Sequence, residues 1–357
     1  MKRLLLIIYV LIALGLLLTG YAGVLSPVRF GVIALAGYAF PFFLLLTLGA
    51  IVVATLTCKR HLVVPVVSLL LAYHPVTLYV PWHAQQEEPE GALSVLSYNT
   101  HSWGSGNDID VSEEENKDGI AVVRYLADSD ADIICLLESP LSCSATANID
   151  SLLKPKYPHY QCISDTSHAQ LTVFSRFPIK KVEQIEHSAS GNGSTAYWLD
   201  VKGKTVIVVN NHLQSTGLSI EQREEFSNMV HGKDKPTKQA SKNIVKQLLA
   251  ASRQRAPQAE AVASFVRCHR AGGTPIIVCG DFNDIPQSYT HHTIAASLTD
   301  CYQATATGMG YSFSRYGMRV RIDNMLCTDN VTPYNFYVDD TIRASDHYPI
   351  RGKVLID

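Results

Sequence analysis

The chain has 357 residues, 47% of them hydrophobic and 17% charged, and a formal net charge of −2. Five of its 30 Lys and Arg but none of its 32 Asp and Glu fall in the first 83 residues, so 25 basic groups face 32 acidic ones in the remainder. That balance has the wrong sign for gripping a polyanionic duplex through clustered Lys and Arg. The odd number of cysteines after residue 83 excludes a complete disulfide framework there.

The first elements in the chain are apolar. Leu4 to Leu25 and Phe30 to Thr57 contain no charged residue, and each exceeds the roughly 20 residues that cross a hydrocarbon core. Leu62 to Val80 is uncharged but carries Pro65, His74 and Pro75, and it is a candidate third span. Lys2-Arg3 ahead of the first stretch would also suit a cleaved signal peptide; the second apolar stretch close behind it and the lack of an Ala-x-Ala site favour a retained anchor. Lys2-Arg3 and Lys59-Arg60 are expected in the cytoplasm by the positive-inside rule. Three spans then put everything after about Gln85 outside; two would leave it in the cytoplasm. The expected plan is an anchor over 1–83 with helices near 4–25, 30–57 and 62–80, a linker over 84–92, and one domain over 93–357. This describes an integral, multi-pass protein of a bacterial-type cell membrane with an extracytoplasmic domain.

In that domain, apolar runs that read as buried strands end in polar groups. Leu93 to Tyr98 runs into Asn99, Ile133 to Leu137 into Glu138, and Val206 to Val209 into Asn210-Asn211-His212-Leu213. Pro275 to Cys279 runs into Gly280-Asp281-Phe282-Asn283, where alternation turns Asp281 and Asn283 to one side and Phe282 to the core. Arg321-Ile322-Asp323 and Ser345-Asp346-His347 complete the set. Each cluster alone has a bland reading as a turn, cap or core residue; together they build a composite site at strand ends. Helical patterns at Asp118 to Asp128, Ala240 to Arg253 and Gln258 to Ala271 alternate with the strands, so the domain reads as α/β. The polar connection 214–257, with the basic run Lys233 to Lys246, reads first as an exposed insertion and second as a gating or membrane-facing element. Cys135, Cys279 and Cys327 read as small core residues, and Cys143 with Cys162 is a candidate pair if the domain is extracytoplasmic.

The ordered set Asn99, Glu138, Asn210 to Leu213, Gly280 to Asn283, Arg321 to Asp323 and Ser345 to His347 resembles the endonuclease/exonuclease/phosphatase superfamily, over about Leu93 to Ile356. Phe174-Ser175-Arg176-Phe177-Pro178-Ile179 is similar to a further stretch of that family. Asn324 stands where an aromatic residue is frequent, and Leu137 where Gln is common; neither removes a catalytic group. The resemblance implies a four-layer α/β sandwich, two mixed sheets face to face with helices outside.

Residue chemistry gives the expected roles. Asn99, Glu138 and Asp346 offer only oxygen ligands, which suits Mg²⁺ or Mn²⁺. Asp281 would orient and deprotonate the attacking water, and Asn283 would hold the phosphate. His212 and His347 would bind the phosphoryl group, with Asp323 pairing His347, and Asn210 would join Asn283 and His212 in substrate binding. The expected function is a membrane-anchored, divalent-metal-dependent phosphoesterase acting on a phosphorylated partner, lipid-linked phosphates included. The alternatives are a nuclease, which the acidic domain disfavours, and a catalytically silent scaffold or receptor of the same fold.

Overall fold

The computed structural model describes residues 2–104, 113–141, 146–164, 170–187, 192–218, 222, 224, 238–315 and 317–357. Cys143, residues 233–237 of the basic run and much of the connection 214–257 lie outside the described residues. Two mixed sheets are present. The first comprises β1 (Leu93–Asn99), β2 (Ile133–Leu137), β3 (His159–Ser164), β4 (Gln170–Ser175), β13 (Val331–Val338) and β14 (Ile350–Ile356), in the order β13-β14-β1-β2-β4-β3. The second comprises β5 (Ile179–Gln184), β6 (Ser194–Val201), β7 (Lys204–His212), β8 (Ile276–Asp281), β9 (Thr299–Asp300) and β12 (Asp323–Cys327), in the order β5-β6-β7-β8-β12-β9. β1 and β2 pair in parallel, as do β7 and β8; the remaining pairs are antiparallel. A hairpin of β10 (Phe313–Arg315) and β11 (Met318–Val320) stands apart from both sheets.

Strand alternation sorts the side chains into layers. Val95, Cys135, Val208, Cys279, Met325 and Ile350 meet between the sheets. On the outer face of the first sheet, Leu96, Tyr98, Ile134 and Leu136 pack with Val122, Val123 and Leu126 of the helix Glu113–Asp128. On the outer face of the second, Ile207, Val209, Ile276 and Val278 pack with Ala259, Val262 and Val266 of the helix Lys238–Arg270. The result is helix, sheet, sheet, helix. Ile133–Leu137 of β2 and the stretch 276–279 of β8 are apolar on every residue because both faces of their sheets are covered.

The two helices expected over Ala240 to Arg253 and Gln258 to Ala271 are one helix, Lys238–Arg270, with Pro257 inside it. An interior proline costs about 3 kcal/mol or more. Here buried Ala256, Ala259, Val262 and Val266 flank it, and burying that stripe against the second sheet keeps the helix continuous.

Towards the N-terminus, Arg3–Gly20 and Pro27–Thr57 are long and apolar enough to cross a membrane. The second is composite, with a 3-10 stretch over Gly31–Ala39 leading into the helix Phe40–Thr57. Lys59–Leu71 and Tyr73–Tyr79 qualify as a third only when taken together across a 64° bend. Pro75 cannot donate to the carbonyl of Leu71, and the Tyr21 hydroxyl donates to that oxygen at 2.6 Å instead. Tyr9, Ala50, Ala54 and Leu62 pack in one layer and Leu16, Phe40, Leu69 and Ala72 in another, so the three helices run up, down and up. Residues 84–92 carry no helix or strand, and Gln86 exchanges two hydrogen bonds with the Asn335 carboxamide of β13, at 2.7 and 2.8 Å.

Candidate active site

The parity that sends Val95, Val208 and Cys279 between the sheets also sends Asn99, His212 and Asp281 there, at the carboxyl ends of β1, β7 and β8. β12 runs antiparallel to β8 with Asp323 in register with Asp281, so its first residue arrives at the same rim. Glu138 follows β2 directly, with a left-handed φ of 49°. Asp346 and His347 come from the loop before β14.

Asp281 Oδ2 is the centre of this rim. Asn99 Nδ2 lies 3.4 Å from it and Asn283 Nδ2 3.0 Å, while the Asn283 amide donates to Oδ1 at 2.7 Å. The Nε2 atoms of His347 and His212 stand 3.8 and 3.9 Å from the same oxygen. Asp281 is 1% exposed. Burial, then the neighbouring charge of Asp323, pushes its carboxyl up to about 8 against the pull of His347. Burial works against a charge on His347, but the carboxylates of Asp323, 2.8 Å from Nδ1, and of Asp281 outweigh it and hold the imidazole well above its ordinary range. His212 goes the other way: burial lowers it, only partly opposed by Glu138, whose Oε1 is 3.4 Å from Nε2.

Glu138, with its side chain 28% exposed, accepts from Asn99 Nδ2 at 3.1 Å. Asp346 faces His101 at 3.4 Å and Arg315 at 3.7 Å; burial would raise its carboxyl, but His347, His101 and Arg315 hold it below its usual range. Asn283, in a left-handed conformation with φ 52°, turns Nδ2 to Asp281 and to the Leu213 carbonyl at 2.9 Å, so that donor is already engaged within the protein. Asn210 lies one alternation below His212, fully buried, and donates to the Leu136 carbonyl at 2.9 Å, joining the two sheets beneath the site rather than lining it. Asn324 is likewise buried and donates to the Ile322 carbonyl.

Among the described residues, one group of three His, Cys, Asp or Glu brings potential ligand atoms within 4.8 Å of one another: Asp281, Asp323 and His347. It differs from the expected oxygen set. Its imidazole already meets Asp323 through Nδ1 at 2.8 Å, whereas the expected set of Asn99, Glu138 and Asp346 offers oxygens alone.

Several site neighbours carry no sequence signal. The Asn192 carboxamide lies 3.1 Å from His212 Nε2. Asp284 accepts from Arg255 Nε at 3.1 Å, from the Thr290 hydroxyl at 2.9 Å and from the Tyr38 hydroxyl at 3.0 Å. A cleft of about 310 Å³ opens over the rim. Besides Glu138, His212, Asp281, Asn283, Asp346 and His347, its lining includes an apolar wall of Leu218, Leu248, Ile285, Met318 and Val320, together with Tyr38.

Two mixed sheets packed face to face, with carboxylates, carboxamides and two imidazoles gathered at one rim, define the phosphoester-hydrolase class of α/β sandwich. The sequence profile of the Endonuclease/Exonuclease/phosphatase family matches residues 102–347, and the chain belongs to that family. A domain of unknown function matches residues 2–79. No curated protein matches the chain in sequence. Among solved structures, the human Nocturnin catalytic domain with bound sulfate anion is similar at 17% identity and a TM-score of 0.54, covering 76% of this chain and 97% of its own. Truncated Caenorhabditis elegans TDP2 is similar at 17% identity and 0.51, covering 74% and 98%, and humanized D. rerio TDP2 at 15% and 0.51, covering 74% and 99%. At these identities the likeness is one of fold.

Proposed function

We propose that the chain is a membrane-anchored phosphoesterase that uses Mg²⁺ or Mn²⁺ and acts on an amphiphilic phosphoester. The observation that carries the substrate class is the cleft itself: a polar floor centred on Asp281 and an apolar wall completed by Tyr38, from the N-terminal apolar segment. A phosphoryl group suits the floor and a hydrocarbon portion the wall.

The rim suits a divalent cation by the chemistry of its donors. Glu138, Asp281, Asp323 and Asp346 converge there, four carboxyl groups beside the imidazoles of His212 and His347. Glu138 and Asn99 would hold the ion, with Asp346 beside them. When bound, it supplies positive charge to the phosphoryl oxygens and the departing oxygen. The protein supplies the rest. Asp281, its two oxygens fixed by Asn99 and Asn283, orients a water and takes its proton. His347, charged and held by Asp323, faces the phosphoryl oxygens as a donor, and His212 joins it at the same rim. The nuclease reading gains no support from an acidic domain.

The test is hydrolysis by the full chain in mixed micelles, comparing a phospholipid, a soluble phosphodiester and DNA. We expect the phospholipid to be preferred, activity to vanish in EDTA, and Mg²⁺ or Mn²⁺ to restore it. Full activity in chelator, or preference for DNA, would overturn the reading.

A further inference from the structure

The N-terminal segment is built into the catalytic domain at the loop that follows Asp281. Gly37 lies so close that a Cβ there would stand 2.6 Å from the Gln287 carbonyl, and a Cβ at Gly23 would stand 2.8 Å from that of Ser288. Gln287 Nε2 donates to the Pro75 carbonyl at 3.2 Å, and Arg253 Nε to the Pro27 carbonyl at 3.3 Å. Between these contacts the Tyr38 hydroxyl donates to Asp284 Oδ1. Asp284 is 3% exposed and its other oxygen is taken by Arg255, itself fully buried, and by Thr290. Arg255 continues the chain to the Gln214 carbonyl, two residues past His212.

We propose that Tyr38 is a positioning residue of the active site: by fixing Asp284 it holds the turn that presents Asp281 and Asn283, so the anchor is a working part of the catalytic machinery rather than a tether. The inference rests on the phosphoesterase reading above. Asp284 adjoins Asn283, whose amide and carboxamide hold both oxygens of Asp281, so a displaced Asp284 shifts the water-orienting carboxylate directly. Tyr38→Phe keeps the aromatic ring on the cleft wall and removes only the donor. Gly37→Ala keeps the hydroxyl but forces the segment off Gln287.

The experiment uses the full chain in lipid–detergent micelles with Mg²⁺ and bis(p-nitrophenyl) phosphate, a soluble diester that makes no call on the apolar wall. Misplacement of a reacting group by an ångström costs up to a hundredfold, so both variants should lose about tenfold in kcat with KM changed less than about twofold. The Tyr38→Phe midpoint should stay near wild type, whereas Gly37→Ala, whose Cβ meets the Gln287 carbonyl, should lower it. Wild-type kcat in both variants, a change confined to KM, or a kcat loss in Tyr38→Phe that tracks a lowered midpoint would overturn the proposal. A wild-type protein inactive on every phosphoester would remove the phosphoesterase reading and this inference together.

Discussion

Asp281 Oδ2 has two carboxamides and two imidazoles around it, and Asp323 stands behind one of those imidazoles. Asp323 influences both partners in the same direction: its charge raises Asp281 and raises His347. Replacing Asp323 with Asn should therefore lower both, and the bell-shaped pH profile of kcat should move to lower pH on both limbs, together with a loss of about 10²–10⁴-fold at the optimum. A profile with unchanged limbs would separate Asp323 from the site. The same shift bears on stability: Asp281 binds its proton more tightly folded than unfolded, so its contribution is present below its ordinary 3.8 and is lost as pH rises through about 8. Asn99, Glu138, His212 and Asp281 were legible because each closes an apolar run or the polar group after it, and alternation turns Asn99, His212 and Asp281 to one side. Asp284, Arg255 and Tyr38 were not. Tyr38 and Asp284 are 246 residues apart, and no local pattern records a contact made by tertiary packing.

Among the elements, β8 shows how tightly the site is built. Gly280 has φ +120°, and a Cβ there would lie 2.0 Å from the Asn211 carbonyl on the parallel neighbour β7. Gly280→Ala should cost about 2–5 kcal/mol, from backbone strain together with overpacking, and lower the thermal midpoint. Gly193→Ala, with open space around it, should leave the midpoint near wild type. Equal midpoints for the two would mean that β7 and β8 separate freely. Buried central strands were readable from unbroken apolar runs, whereas the short strands β9, β10 and β11 offer too few residues for any period to emerge. The continuity of Lys238–Arg270 was hidden because proline's local cost is visible in sequence and the packing that outweighs it is not.

For the whole molecule, the three apolar helices run up, down and up, so Lys2, Arg3, Lys59 and Arg60 fall at the end away from the contacts with the Asp284–Ser288 loop. On the proposed reading, the positive-inside rule then places the catalytic domain outside the cytoplasm. Protease added to intact spheroplasts should cut the domain while a cytoplasmic marker survives; cutting only after permeabilisation would reverse the orientation. On the same reading, the docking of Gly37 and Tyr38 on the catalytic loop also sets the height of the cleft above the bilayer. An enzyme held in that way searches for its substrate in two dimensions. What it experiences as concentration is the mole fraction of substrate among its neighbouring lipids, so inert lipid slows it while added buffer does not.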